Sequence, residues 1–302
     1  MGVLISHTLL IVNPAARRAR LLRNEAEAAF RTAGTECDVV MTERPGHGAA
    51  VAGERCGSYD AVFTLGGDGT AMEVVGALAG RGVPIGVLPG GTGNLIARTV
   101  GVPLRVRRAV PALLGGDRAD VDLGVFRGDG PPRHFAFAAG VGIDADMIEL
   151  APARLKRRLG VLAYVVSATK AVLRRREFGV RVTVDGQVVE RRASAVMIAN
   201  FGAVLNELIT LGPGIKQDDG VLDLCIFSPR SVADAVRVVW RLSRRDFRED
   251  PSLFYRPGRH FRVETDPPLL AEADGDLLGR APFEVTVAPL AARLLVPRAP
   301  AA

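Results

Sequence analysis

Ala61-Val62-Phe63-Thr64-Leu65-Gly66-Gly67-Asp68-Gly69-Thr70 is the stretch on which the fold turns. Five residues suited to a buried strand stop at a glycine-rich loop. Residues 71–79 then carry apolar side chains at helical spacing. The pattern predicts strand, loop and helix in succession. A strand with no polar alternation is covered on both faces, as in a parallel sheet flanked by helices. The same arrangement appears on either side. Upstream, residues 8–12 are apolar and end at Asn13-Pro14; an Arg- and Ala-rich helical stretch and a strand at 37–41 follow. Downstream, the run 85–88 leads into Pro89-Gly90-Gly91-Thr92-Gly93-Asn94 and a short helix. The three loops follow the carboxyl ends of strands, where such sheets bind ligands. An α/β domain built on a parallel sheet is expected over residues 1–120.

The loop chemistry suits phosphate. Glycines allow close backbone approach, and the helix behind offers free N–H groups and a positive dipole end. Asp68 sits awkwardly in an anion site. It either acts with a divalent cation, polarises an attacking group, or simply caps its own helix. Thr92 can donate a hydroxyl to phosphate. No Gly-Lys-[Ser/Thr] follows either loop, and no GxGxxG follows the first strand, so P-loop and dinucleotide readings are set aside.

Beyond residue 120 the pattern changes to short strands, at 119–127, 133–139, 179–185, 188–199, 221–227, 259–264 and 283–287. Asp185-Gly186 marks a hairpin. An all-β, antiparallel sandwich or barrel domain over 121–289 is expected, with a final run at about 290–298 returning to the first domain. Two helices interrupt it, one at 153–176 and one after Pro229 capped by Ser231 and Asp234.

Composition narrows the class. The 302 residues are 48% hydrophobic and 24% charged, enough for a large core and too apolar for disorder. A net charge of +6 favours anionic partners. Cys37, Cys56 and Cys225 lie too far apart in sequence for a zinc ribbon, and three cannot all pair. His7, His47, His134 and His260 show no ligand spacing, and His47 reads as a loop residue. Aromatic residues are only 5%, with no stacking motif, so nucleic acid is not expected as a partner. No signal peptide is apparent, and the apolar run 159–173 is too short to span and contains Lys170. A cytoplasmic protein is expected. Basic clusters at 154–158 and 174–176 flank an apolar middle; a buried helix with charged ends is preferred there to a membrane-surface helix.

These motifs resemble the diacylglycerol kinase catalytic-domain family, which includes sphingosine, ceramide and bacterial soluble lipid kinases. Asn13-Pro14, Gly66-Gly67-Asp68-Gly69-Thr70 and Gly91-Thr92-Gly93-Asn94 occur in the family's order and spacing. Pro213-Gly214-Ile215-Lys216-Gln217-Asp218-Asp219-Gly220-Val221-Leu222-Asp223 resembles its Asp-Asp-Gly-x-Leu-Asp segment. Asp274-Gly275-Asp276 stands where members carry Asp-Gly-Glu, and would otherwise read as an acidic turn. The resemblance covers about residues 8–297. It implies an α/β, Rossmann-like nucleotide domain plus a β-sandwich domain, with ATP in the cleft, and transfer of its γ-phosphoryl group to a lipid hydroxyl, of diacylglycerol or a sphingoid base. It further implies that Asn13, Thr42, Gly66, Gly67, Asp68, Gly69, Thr70, Gly91 and Thr92 hold ATP. Asp276 would be the base, with Asp68 acting through Mg²⁺ or the acceptor hydroxyl. A structural Mg²⁺ would be held by Asp219 and the carbonyls of Lys216 and Val221. Lipid presented at a membrane, peripheral membrane contact, an apolar acyl-chain cavity in the second domain and a homodimer complete the expectations.

The chain departs from the family pattern at Arg17 and Arg18, near the usual glycine. It also departs at Leu95, where diacylglycerol kinases often have aspartate, and at Asp276, one methylene short of glutamate. An NAD kinase shares the Gly-Gly-Asp-Gly-Thr loop, but the second glycine loop and the late acidic segments argue against it. A nucleotide- or lipid-binding homologue without catalysis is the remaining alternative.

Overall fold

The apolar runs of the N-terminal third form a parallel sheet. The computed structural model describes residues 5–15, 19–91, 93–142, 177–201, 203–204 and 209–298. Two units are distinguished: residues 1–121 with 290–302, and residues 122–289. The helix expected at 153–176, with its basic clusters, lies outside the described residues, as do Arg17, Arg18 and Thr92.

In the first unit the chain runs β1 (His7–Val12), α1 (Ala19–Thr32), β2 (Glu36–Met41), α2 (His47–Arg55), β3 (Ala61–Gly66), α3 (Asp68–Ala77), β4 (Pro84–Pro89), α4 (Leu95–Thr99) and α5 (Val106–Leu114). The strand order is β2-β1-β3-β4, all parallel. Every residue of β3 and β4 is buried, as their unbroken apolar character requires, whereas β2 at the edge is half-exposed. Gly86 has no side chain because a Cβ there would run into the Phe63 ring. Phe63 in turn packs edge-on against Phe30 of α1, with centroids 4.9 Å apart. The terminal strand, Phe283–Val296, adds to this sheet beside β4 through Arg293 and Leu294. The Arg293 guanidinium grips Asp120 with two bonds of 2.7 and 3.0 Å. Strand order reverses between β1 and β3, which makes the loops after these strands the natural ligand site.

The second unit is an antiparallel sandwich. Its strands are the later part of β5 (Asp117–Arg127), β6 (Arg133–Phe135), β7 (Ala138–Val141), β8 (Phe178–Val184), β9 (Gln187–Ala193), β10 (Ala195–Ala199), β11 (Ala203–Val204), β12 (Ile209–Thr210), β13 (Leu222–Phe227), β14 (Leu253–Gly258), β15 (His260–Asp266), β16 (Leu270–Ala273) and β17 (Asp276–Arg280). One layer holds the pairs β15–β8 and β8–β9; the other runs β14-β13-β10-β7-β16-β17. Val180, Val182, Phe261 and Val263 of the first layer meet Val196, Ile198, Leu222 and Leu224 of the second in one core. The other face of the six-stranded layer is covered by α6 (Val232–Ser243), which buries Ala235, Val238, Val239 and Leu242.

Several expectations of the sequence are met here. Asp185 and Gly186 both take positive φ and turn β8 into β9. Ser231 caps α6, accepting from the Asp234 N–H at 3.1 Å. Other expectations are corrected. The run 188–199 is two strands, because the chain passes from one layer to the other at Ser194. The run 133–139 likewise splits into β6 and β7. Strands β14, β16 and β17 lack alternation strong enough to read. His47 is the first residue of α2, where its Nδ1 accepts the Glu43 N–H at 3.1 Å.

Candidate active site

In the first unit the loops after β1, β3 and β4 are bound into one body. Asn13 leaves β1 with its own N–H bonded to the Leu65 carbonyl, and its Nδ2 donates to Thr70 Oγ1 at 2.8 Å. Thr42, after β2, is buried and donates its N–H to Val12 at 2.8 Å. Asn94 takes a left-handed φ of 52°; its side chain accepts from the Gly91 N–H at 2.8 Å and donates to the Gly91 carbonyl at 3.0 Å.

Asp68 does not cap its own helix. Gly67 is the N-cap of α3, and no side chain caps that end. Asp68 reaches instead to the next loop, where its Oδ1 accepts the Leu95 N–H at 2.6 Å and the Ile96 N–H at 3.4 Å. It therefore caps α4. Burial raises its carboxyl above the ordinary value, and these backbone N–H groups offset part of the rise.

The glycines divide into two kinds. A Cβ on Gly90 would stand 2.9 Å from the Gly66 nitrogen, and one on Gly91 would stand 2.6 Å from the Gly67 Cα. A Cβ on Gly93 would meet Asp68 Oδ2 at 2.7 Å, and one on Gly66 would meet Thr70 at 2.8 Å. These four permit loop-on-loop and loop-on-helix packing. Gly67 and Gly69 have nothing within 4 Å of the Cβ position. They leave open space over the uncapped N-terminus of α3, which suits an anion.

In the second unit, Asp274 and Gly275 take φ of 50° and 89° and turn β16 into β17. Asp276 is the first residue of β17, and its carboxylate lies 3.6 Å from the exposed Arg133 guanidinium. Asp274 is an anchor. It is half-buried, and its two oxygens accept the N–H groups of Ala136 at 2.7 Å, Phe137 at 2.9 Å and Ala138 at 3.2 Å. Burial pushes its carboxyl up to about 6 despite those donors, and the neighbouring Asp276 charge adds to the rise. A cavity of about 140 Å³ opens beside Arg133, lined by Phe126, Gly128, Gly130, Pro131 and Leu278. It is well under the roughly 300 Å³ of a small-ligand site.

The segment 217–220 is held by Asp122, which is fully buried. The Asp122 N–H donates to the Gln217 carbonyl at 2.6 Å, and Asp122 Oδ2 accepts the Gly220 N–H at 2.7 Å. Asn200, also fully buried, donates to the carbonyls of Asp122 and Ala136 at 2.7 and 3.0 Å. Asp219 Oδ1 accepts the Val221 N–H at 3.2 Å. Burial raises the Asp223 carboxyl to about 6, with the Asp219 charge as a second cause. The carboxylate oxygens of Asp219 and Asp223 are donors of the kind a hard divalent cation takes. Among the described residues no cluster of three His, Cys, Asp or Glu side chains accompanies it.

Sequence reasoning missed Asp122, Asn200 and the anchoring role of Asp274. Asp122 had a signal, a lone carboxylate amid the apolar run Val121 to Phe126. Asn200 had none.

The first unit and its neighbouring strand, residues 7–126, match the model of the diacylglycerol kinase catalytic domain. Residues 138–296 match that of the YegS C-terminal NAD kinase beta sandwich-like domain. The chain belongs to the diacylglycerol kinase catalytic-domain family. A diacylglycerol kinase of Bacillus subtilis (strain 168) is 27% identical over 283 residues, covering 91% of each chain. An uncharacterised Synechocystis protein, sll0036, is 30% identical over 241 residues; the match covers 78% of this chain and spans about half, 54%, of that relative. A crystal structure of a diacylglycerol kinase from Bacillus anthracis strain Sterne shares the fold, with a TM-score of 0.76 over 98% of each chain at 22% identity. The family is one of kinases with an α/β domain and a β-sandwich. No helix among the described residues is long and apolar enough to cross a membrane.

Proposed function

We propose that the protein is an ATP-dependent kinase that phosphorylates a lipid hydroxyl, of diacylglycerol or a sphingoid base. The observation that carries this reading is the uncapped N-terminus of α3 with Gly67 and Gly69 open above it. The family membership and the names of the relatives support the acceptor class.

In this reading the N–H groups at the start of α3 receive the nucleotide phosphates. Asn13 and Thr70 fix the loop, Thr42 lines the nucleotide, and Gly91 with Thr92 completes the binding surface. Asp68 positions the two glycine loops through Oδ1. Its Oδ2 is available to act on a phosphate-bound cation or the acceptor hydroxyl. Asp276 accepts the acceptor's proton as the hydroxyl attacks phosphorus. Asp274 holds the turn that presents Asp276, and Arg133 stands 3.6 Å from that carboxylate. A bound Mg²⁺ supplies charge neutralisation. Asp219 and the carbonyls of Lys216 and Val221 would hold a second, structural ion.

The test is transfer of label from [γ-³²P]ATP with Mg²⁺ to diacylglycerol, monoacylglycerol, sphingosine, ceramide, phosphatidylglycerol or NAD. Label in a lipid, lost in Asp68→Asn with the thermal midpoint retained, supports the reading. Label in NAD alone, or undiminished turnover by Asp68→Asn, overturns it.

A further inference from the structure

Helix α6 carries a side that the fold does not use. Its buried stripe, Ala235, Val238, Val239 and Leu242, packs over Ala195, Ala199, Cys225 and Phe227. Ala233, Val236, Trp240 and Arg244 recur at helical spacing on the opposite side, and all are exposed. Trp240 is the only tryptophan of the chain and is 59% exposed. An indole of this size normally buries its apolar area or sits where one end is apolar and the other wet. The Arg244 guanidinium lies over its ring at 5.3 Å from the centroid.

The charges on this side are one-sided. Residues 230–250 hold six arginines and four acids. Three of those acids are already engaged. Asp234 pairs with Arg237 at 2.7 Å, and Asp250 with Arg241 at 2.7 Å and Arg237 at 3.1 Å. Asp246 pairs with Arg248 at 2.6 Å. Glu249 is exposed beyond the helix end. Arg244 and Arg245 therefore present their charge outward, next to Trp240. Arg245 also occupies a left-handed position, φ 55°, directly after the helix. Glycine is the relaxed choice there. A strained arginine at such a position points to a use other than folding.

We propose that the exposed side of α6, Val236, Trp240, Arg244 and Arg245, docks on an anionic lipid surface. A tryptophan at headgroup depth with arginines beside it is the chemistry of an interfacial helix. The apolar ring enters the boundary region, and the two guanidinium groups meet lipid phosphates. The inference rests on the lipid-kinase reading for its purpose, since that acceptor resides in a bilayer. Its test does not need turnover.

The single tryptophan makes the full-length protein its own probe. Emission is followed while vesicles of phosphatidylcholine, or of phosphatidylcholine with 30% phosphatidylglycerol, are added. The expected result is a blue shift with the anionic vesicles that salt reverses. Arg244→Gln with Arg245→Gln should weaken partition roughly thirty-fold. Arg245→Gly alone should raise the thermal midpoint while weakening vesicle binding, a pair of opposite changes that a purely structural role does not produce. Three outcomes overturn the proposal. One is emission unchanged by vesicles the protein binds, and another is equal binding to neutral vesicles. The third is a blue shift that grows with protein concentration alone, which would assign the surface to a second copy of the chain. Phosphorylation of a micelle-dispersed lipid is measured in parallel. Turnover without a Trp240 shift defeats the docking surface alone, and a Trp240 shift with no acceptor phosphorylated defeats the kinase reading alone.

Discussion

The glycine loops of the first unit and the acidic turns of the second are held in place by different forces. Around β3 and β4, backbone lies directly on backbone: Gly90 on Gly66, Gly91 on Gly67, with Asp68 stitched to the start of α4. Shape does the holding, and it tolerates no added atom. In the second unit the turns hang from carboxylates. Asp274 gathers three N–H groups and Asp122 orders residues 217–220. Charge and hydrogen bonding do the holding, at the expense of burying ionisable groups. The first region should therefore answer to steric change and the second to pH.

The largest effect is expected at Asp276. Asp276→Asn removes the proposed base from an exposed position and should lower kcat by roughly 10²–10⁴-fold with the thermal midpoint unchanged. Turnover within a few-fold of the parent would assign the proton elsewhere.

The next contrast lies within the glycine loops. Gly91→Ala places a Cβ 2.6 Å from the Gly67 Cα, and overpacking of this kind costs about 1–3 kcal/mol in a denaturant titration. Gly69→Ala meets no neighbour and sits in a helix, where alanine is better by about 1 kcal/mol. It should stabilise the fold. Equal stability of the two variants would erase the division of the glycines into packing and open positions.

How much of this was legible beforehand follows the same divide. The strand–loop–helix grammar of residues 61–79 is local, so the α/β unit and its three loops could be read directly. The purpose of each glycine could not, because it depends on what the partner loop does 24 residues away. Asp68 shows this best: its alternatives were a cation, a substrate or its own helix, and the carboxylate went to α4. In the second unit β14, β16 and β17 were missed because short strands packed by tertiary contacts leave weak periodicity. Asp274 was visible as a turn residue, but nothing local reports that residues 136–138 would lend it their N–H groups.

A smaller effect concerns pH. The Asp274 carboxyl is held at about 6 in the fold against an ordinary 3.8. The folded chain then binds more protons than the unfolded one between those values. Asp274's contribution to stability is therefore largest below about pH 4, declines as pH rises to about 6, and is level above. Asp274→Asn should flatten that part of the profile, measured by urea unfolding between pH 4 and 7. A parent and variant with the same slope would show that Asp274 is not the group concerned.

The most direct measurement is calorimetric titration of ATP into the parent and Gly69→Ala, with both thermal midpoints recorded. If the open glycines mark the phosphate site, ATP binding falls sharply in Gly69→Ala while its midpoint stays level or rises. Undiminished ATP binding by a well-folded Gly69→Ala would contradict the assignment of the α3 N-terminus as the nucleotide site.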